Sequence, residues 1–178
     1  EPVNLAALDR LLPALAAEEC GPLLDALSSS DNRVTRRRLL DRLAELPQDV
    51  SPLILARLDD SRWHVQRNLL LLLERRQVLP PGFTPRPWLT HADWRVRIEA
   101  VRLALGMPSE RAAALELALD DPHSSIVMLG LTALGDQPGA HLDDVAMLAL
   151  NADLPEDARV LAVRVLTGTG HPDALVLQ

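Results

Sequence analysis

The five histidines are the side chains that first suggest metal binding or acid–base chemistry. They stand at His64, His91, His123, His141 and His171, and four of them lie in or beside predicted turns. A helical zinc site needs two histidines about one turn apart and a further ligand nearby, and the sequence has no such pair. We therefore predict no metal site and expect the turn histidines to cap or solvate helix ends.

Side chains that could act as nucleophiles or paired acids lack the neighbours that such chemistry needs. The serines at 28–30 have no histidine in register, and Cys20 precedes Gly21 and Pro22 at an apparent helix end. A nucleophile requires an adjacent base, so Cys20 is expected to be a small buried residue. The adjacent acids at 59–60, 120–121 and 143–144 occur at helix ends, where capping and solvation explain them. We therefore expect a protein that is not an enzyme and has no cofactor.

Arginine supplies every cation of the chain. There are 18 arginines, no lysine and 25 acids, which gives a net charge of −7 and disfavours indiscriminate binding to DNA or anionic membranes. The charge is uneven, because residues 31–102 hold 14 arginines and nine acids, whereas residues 103–178 hold three arginines and 11 acids. Any binding to an anionic partner is therefore predicted for the central part.

The composition predicts an all-α fold. Of 178 residues, 38 are leucine and 23 are alanine, while only four are aromatic. No apolar run approaches the ~18 residues that cross a bilayer, so we predict no membrane insertion. The single cysteine fits a reducing compartment, and we expect a cytoplasmic protein. The absence of an initial Met and an end within the pattern described next suggest a fragment of a larger protein.

A period of about 30 residues organises the chain. Five segments align on Thr35, Val65, Val96, Ile126 and Ala158, with spacings of 30, 31, 30 and 32 residues. Each segment is a polar turn, in which Asp, Ser or Pro is expected to supply the helix cap, followed by an apolar helix. Apolar or small residues recur four, five and eight places after each aligned residue, which places one stripe on one helical face. We call these five aligned residues the anchors.

An apolar segment before each turn completes a helix pair, and such pairs stack because neither helix can bury its apolar face alone. We predict one repeat domain over 1–178, with a cap helix in 1–20 and a further helix starting in 171–178. The predicted repeats cover 21–47, 50–77, 84–106, 108–136 and 139–168. Four prolines in 77–87 preclude a long first helix in the third repeat. That segment is either a connector, which we favour, or a protruding binding loop.

The repeated turn and helix resemble the HEAT-repeat family, in particular its short bacterial variety, also known as PBS-lyase-type repeats. Asp93-Trp-Arg-Val-Arg-Ile-Glu-Ala100 is the clearest copy, and Asp121-Pro-His with Ile126 is the next. The resemblance covers about residues 21–170. It implies a right-handed α-α superhelix, an armadillo-like solenoid of about five stacked pairs, whose second helices line the concave face. It also implies that Arg36, Arg97 and Arg159 bridge repeats by pairing with turn carboxylates, although Gln66 and Val127 replace that arginine elsewhere.

Residues two, three and six places after each anchor are expected to point away from the stripe and to form a binding surface. The candidates on this surface are Arg37, Arg38, Arg67, Arg102, Met128, Leu129, Val160 and Leu161. A solvated face balanced by Asp41, Glu74 and Glu99 is the alternative for the arginines. The apolar candidates are expected to meet either a missing neighbouring segment or a partner helix. Trp63 and Trp94 occupy equivalent places and form either a ridge for stacking or packing under the adjoining turn.

These patterns predict a non-catalytic scaffold that binds another protein on its concave face. The alternative is nucleic-acid binding or DNA-glycosylase-like chemistry, since some HEAT-like proteins act on alkylated bases and the centre is rich in arginine. The acidic ends and the absence of lysine make nucleic acid the less favoured partner. A tetrapyrrole-lyase-like enzyme has only the repeat resemblance to support it.

Overall fold

The computed structural model of the chain describes residues 16–135 and 139–168. Within these ranges the chain forms ten α-helices, two short 3-10 segments at Ala17–Cys20 and Gly139–His141, and no strand. The helices are α1 Gly21–Ser29, α2 Arg33–Glu45, α3 Ser51–Leu55, α4 Trp63–Arg76, α5 Arg86–Leu89, α6 Trp94–Leu105, α7 Arg111–Leu119, α8 Ser124–Leu134, α9 Leu142–Leu150 and α10 Glu156–Gly168. The predicted all-α class is therefore confirmed. The predicted helices before residue 16 and in 171–178 lie outside the described residues.

The helices follow one another as five pairs, and the chain divides into two compact units at residues 1–83 and 84–178. In the first unit, α1 packs on α2 and α4, α2 packs on α4, and α3 packs on α4. In the second unit, each first helix packs on the second helix of its pair, and α8 packs on both α6 and α10. The second helices α6, α8 and α10 thus lie in succession through the core of the second unit.

The predicted stripe is the surface that the second helices bury. Four of the five anchors are buried, and Thr35 is half-buried. The positions four and eight places after the anchors are buried in all five second helices, from Leu39 and Leu43 in α2 to Ala162 and Leu166 in α10. Burial of these side chains is the main stabilising contribution of each second helix.

Each second helix begins two residues before its anchor, and in α2, α6 and α8 the side chain of the residue that precedes the helix accepts hydrogen bonds from the first free backbone amides. Asn32 accepts from the amides of Val34 and Thr35, Asp93 from that of Arg95, and the Nδ1 of His123 from that of Ser125. The expectation that Asp, Ser or Pro supplies the cap is right for Asp93 alone among these three. The expectation that a turn histidine caps a helix is confirmed at His123.

One part of the orientation prediction is wrong. Asn68 and Glu99, each three places after its anchor, are buried rather than directed away from the core, and Glu99 is only 1% exposed. Three residues correspond to about 300° around an α-helix, so this position lies about 60° from the anchor. An adjoining helix can therefore cover it, as α2 packs on α4 and α8 packs on α6.

The proline-rich segment 77–87 is attached at both ends. Gln77 ends α4 in the left-handed conformation at φ 53°, and Gly82 takes φ 79°. In the first unit, the Ser51 hydroxyl donates to the carbonyl of Val78 at 3.3 Å. In the second, Arg86 forms an ion pair of 2.7 Å with Glu110, and α5 has only four residues, as the prolines predict. Each end of the segment is therefore held by side chains of its own unit.

Candidate functional site

The groups that first suggested chemistry are few and separated. Cys20 is fully buried, as predicted, and this burial raises the pKa of its thiol. Over residues 16–135 and 139–168, no three or more His, Cys, Asp or Glu side chains are grouped so that they could hold a metal ion. None of the helices in those ranges combines the length and apolar character that spanning a membrane requires.

The strongest candidate for a binding site is an exposed face of α2 that we call the arginine surface, formed by Arg33, Val34, Arg37 and Arg38. All four residues are exposed, and Val34 is 59% exposed. They lie opposite or beside the buried stripe of Leu39, Leu40 and Leu43, so the helix itself holds them outward. The structure thus places the predicted candidates Arg37 and Arg38 together on one face.

Most other arginines of the first unit have partners within that unit. Arg42 pairs with Glu45, Arg57 with Asp25, Arg62 with Asp60 and Arg75 with Asp41, at nitrogen–oxygen distances of 3.1, 2.8, 2.7 and 2.6 Å. By contrast, among the described residues the side chains of Arg33, Arg37 and Arg38 have neither an ion pair nor a hydrogen bond. The arginine surface is therefore a local excess of positive charge.

Asp41 is one of the acids that the alternative prediction assigned to balance this face, and the structure gives it another partner. Its Oδ1 accepts a hydrogen bond of 2.6 Å from Nη1 of Arg75 on α4, so its charge is already neutralised by a neighbouring helix. Arg67, the third predicted arginine of this unit, is half-buried and donates to Oδ1 of Asn68 at 3.1 Å. Arg67 therefore contributes less to the exposed charge than the sequence predicted.

Arg76 fixes the end of α2 and thereby the position of the arginine surface. Its guanidinium donates to the carbonyls of Leu43, Leu46 and Gln48 at 2.7, 3.2 and 2.6 Å. The last carbonyls of a helix lack partners within the helix, and a guanidinium presents several donors in a rigid fork. The sequence offered no local signal for this contact, because Arg76 lies about 30 residues after the carbonyls that it binds.

In the second unit, Arg97 has the bridging role that the HEAT resemblance implies. Its Nε and Nη2 donate to the two carboxylate oxygens of Asp121 at 2.8 and 2.9 Å, and its Nη1 donates to the carbonyl of His91 at 2.8 Å. The hydrogen bonds that it donates to Asp121 raise the pKa of the Arg97 guanidinium. This contact joins α6 to the turn before α8.

The two arginines at equivalent places differ from Arg97. Arg36 donates to the carbonyl of Ser30 at 2.7 Å, which matches the bond from Arg97 to His91, and the described residues show no ion pair for it. The Nε of Arg159 is buried, and it has no hydrogen-bond acceptor among the residues that the structure describes. Only one member of the implied row therefore bridges repeats in the described part of the chain.

The two predicted ridge tryptophans have different surroundings. The ring of Trp94 stacks on that of His123, with centroids 3.7 Å apart and an interplanar angle of 15°, and the Arg95 guanidinium lies 5.4 Å from its centroid. Trp94 therefore packs against the adjoining turn, which was one of the two alternatives predicted for it. Trp63 is 38% exposed and meets the ring of His64 edge-on, with a centroid separation of 5.8 Å.

The other predicted candidates lie on the second helices of the second unit. Arg102 is exposed but forms an ion pair of 2.8 Å with the buried Glu99, so its charge is balanced as the alternative prediction held. Met128, Leu129 and Leu161 are half-buried, and Leu161 packs against the core of this unit. Only Val160 among these apolar candidates is exposed.

Three exposed apolar residues of the first helices were missed because the sequence reasoning considered the second helices alone. Leu117 lies on α7, and Met147 and Leu150 lie on α9, and both of these helices are the first of their pair. Their signal was present, since Met147 is two residues from each of the buried Val145 and Ala149, about 200° around the helix. Leu150 lies beside Val160, and both side chains line the same groove.

The turn before α4 contains the carboxyl group with the largest change in acidity. Hydrogen bonds from the side chain and the amide of Arg62 lower the pKa of Asp60 from 3.8 to about 2. Asp60 therefore stays ionised in the folded chain as the pH falls through 3.8, and its contribution to stability is lost progressively as the pH falls from 3.8 to about 2. We expect Arg62→Ala to return the pKa of Asp60 towards 3.8, which a carboxyl carbon NMR titration measures.

Asp49 is the control for this titration. Hydrogen bonds from Ser51, rather than Arg62, lower its pKa, so the Arg62→Ala variant should leave its titration unchanged. An unchanged Asp60 titration in this variant would contradict the assignment, as would equal changes at Asp49 and Asp60.

The chain was compared with family models, with curated proteins and with solved structures, and none of these comparisons found a match.

Proposed function

We propose that this chain is a HEAT-like helical repeat domain, without catalytic activity, that binds an acidic segment of another protein through the arginine surface. The observation that carries the proposal is the pair of exposed, unneutralised cations Arg37 and Arg38, next to an aspartate that Arg75 already occupies. The five helix pairs and the recurring buried stripe support the repeat assignment.

The arginine surface is electrostatically unfavourable in the isolated chain. Arg33 and Arg37 are four residues apart on one helix, a spacing at which like charges destabilise the helix by a few tenths of a kcal/mol. Arg33 is also the first residue of α2, where the helix dipole disfavours a cation. An acidic partner would relieve both effects, which explains a surface that contributes nothing to folding.

The chemistry of the partner follows from the residues around the charge. Val34 lies three and four residues before Arg37 and Arg38, so an exposed apolar side chain shares their face. A partner with carboxylates on both sides of an apolar side chain complements this arrangement. An exposed helix face that combines an apolar side chain with charged ones binds amphipathic segments of partner proteins in many complexes.

A protein partner fits the chain better than a nucleic acid does. A duplex requires an extended row of phosphate contacts, whereas the acids outnumber the arginines by 25 to 18. Trp94 is stacked on His123, so this face of its ring is covered and cannot stack on a base. DNA binding is therefore the alternative outcome of the experiment below.

The test is affinity capture from the native lysate by three versions of the full chain. Arg37→Glu with Arg38→Glu should lower the captured amount of the main partner about tenfold, because attraction to its carboxylates becomes repulsion. The matched control is Arg62→Glu with Arg95→Glu, which changes the net charge equally at two exposed arginines outside the arginine surface. The control should retain the capture of the wild type.

Two further measurements decide between the outcomes. Circular dichroism should show equal helicity in the wild type and the arginine-surface variant, since the side chains of Arg37 and Arg38 form no ion pair or hydrogen bond among the described residues. The control loses the ion pairs Arg62–Asp60 and Arg95–Asp93, so its helicity is measured in the same way. Equal capture by the wild type and the arginine-surface variant would overturn the proposal. Salt-sensitive binding of duplex DNA that depends on Arg37 and Arg38, without any captured protein, would instead favour the nucleic-acid alternative.

A further inference from the structure

The helix pair α9–α10 leaves an apolar face uncovered in the second unit. Leu150 is 67% exposed and Val160 is 51% exposed. They line a groove of about 480 Å³ together with Ala149, Glu156, Arg159 and Val163. Apolar side chains of this size that cluster on a surface mark a place where another surface binds.

Equivalent positions in the preceding helices are more deeply covered. Val101 in α6 and Leu131 in α8, five places after their anchors, are buried, whereas Val163 in α10 is half-buried. Two places after the anchors, Ile98 and Met128 are half-buried, whereas Val160 is exposed. The reason is that α8 lies between α6 and α10, while α10 packs on α8 and α9 among the described helices.

A buried polar atom marks the same face. Among the described residues the Nε of Arg159 has no acceptor, although the equivalent Nε of Arg97 donates to Asp121 from the turn of the following pair. The half-buried Arg159 also lines the groove, so a surface that covers this groove gains by bringing a carboxylate to the accessible part of its guanidinium. A surface that carries both apolar and acidic side chains would therefore complement this face.

We propose that the occupant is a second copy of this chain, with α10 antiparallel to α10 of the second copy about a two-fold axis at Val160. Glu156 and Arg164 are exposed, stand four residues before and after Val160, and have no ion pair among the described residues. In the antiparallel arrangement Glu156 faces Arg164 of the second copy, and the same pair recurs across the axis. The opposed helix dipoles add to this attraction.

The interface has an apolar centre and charged ends. Val160 meets Val160 of the second copy, and Leu150 packs beside it. The acidic first turn of the opposing α10 brings carboxylates to the side that carries Arg159 and Arg164. A contact of two helices per copy is small, so we expect a weak, reversible dimer rather than an obligate one.

The oligomeric state of the full chain tests the proposal. Sedimentation velocity should show dimer increasing between about 5 and 500 μM, the range in which small interfaces dissociate. Val160→Asp should raise the dissociation constant at least about tenfold, since two carboxylates would then meet at the axis. Val78→Asp is the matched control, because Val78 is 52% exposed, lies outside α10 and the arginine surface, and should leave the dimer unchanged.

Exchange of the charges tests the antiparallel arrangement separately from the stability of α10. Glu156→Arg and Arg164→Glu should each raise the dissociation constant about threefold, and the double variant should return it to within about twofold of the wild type. Loss of an acidic residue from the first turn weakens the helix in both Glu156→Arg variants, so helix stability alone cannot produce the recovery. A monomer at every concentration, a dimer insensitive to Val160→Asp, or a double variant without recovery would overturn the proposal.

Discussion

Replacement of Asp121 by alanine is expected to lower the free energy of unfolding by about 3 kcal/mol. The side chains of Arg97 and Asp121 are only 13% and 7% exposed, and they share two hydrogen bonds of 2.8 and 2.9 Å. Without the carboxylate, the guanidinium of Arg97 stays buried with an uncompensated charge. Asp121 also accepts a hydrogen bond of 2.8 Å from the amide of His123, so its loss loosens the turn before α8 as well.

Urea unfolding followed by circular dichroism measures this loss. Asp120→Ala is the matched control, because Asp120 is the adjacent aspartate, is exposed, and has no ion pair among the described residues. It should change the stability by less than about 0.5 kcal/mol. The double variant Arg97→Met with Asp121→Ala should be more stable than Asp121→Ala alone, because it removes the unpaired charge. Equal stabilities of the two aspartate variants would contradict the structural role of the pair.

Replacement of Gly130 by leucine is expected to cost about 3 kcal/mol, the upper end of the usual range for overpacking. Gly130 lies on α8 where that helix approaches α7, and a Cβ atom placed on it would lie 3.0 Å from Cβ of Ala118 and 3.4 Å from Cδ2 of Leu119. Ala118 is fully buried and its Cβ is fixed to the helix backbone, so it cannot move aside. A larger side chain must therefore separate α7 from α8.

Gly130→Ala should change the stability by less than about 1 kcal/mol, because the better helix propensity of alanine offsets the close contact. Thr132→Leu adds a leucine to the exposed side of the same helix and serves as the control, with a change within about 0.5 kcal/mol. Thermal and urea unfolding compare the three variants. Similar stabilities of Gly130→Leu and Thr132→Leu would show that the helices tolerate separation at this point.

The burial of the second helices was largely predictable because the pattern of apolar residues repeats along the sequence. The stripe positions are buried in all five second helices, because apolar or small residues recur at the same places about every 30 positions. Small residues in the stripe permit close approach of a neighbouring helix, as at Gly130 against Ala118. The predicted orientation was wrong at the edges of the stripe, at Asn68 and Glu99. At these positions an adjoining helix, rather than the 30-residue sequence period, decides whether the side chain is buried.

The partners of the arginines were much less predictable. Sequence proximity suggested that Asp41 balances Arg37 and Arg38, yet Asp41 pairs with Arg75, 34 residues away. The chain contains 18 arginines and 25 acids, so many pairings satisfy the charges equally well on paper. The positions of the neighbouring helices determine which of these ion pairs form, because the arginine side chain is long and flexible.

The sequence by itself determined that this chain is helical, that its helices come in pairs, and which face of each second helix is buried. Those features follow from the spacing of apolar side chains, and burial of apolar surface depends little on the exact neighbour. Only the tertiary structure decided that Arg37 and Arg38 have no ion pair among the described residues, that Arg97 meets Asp121, and that Val160 is exposed beside Leu150. Hydrogen bonds and ion pairs require defined distances between groups far apart in the chain, and only packing of the helices sets those distances.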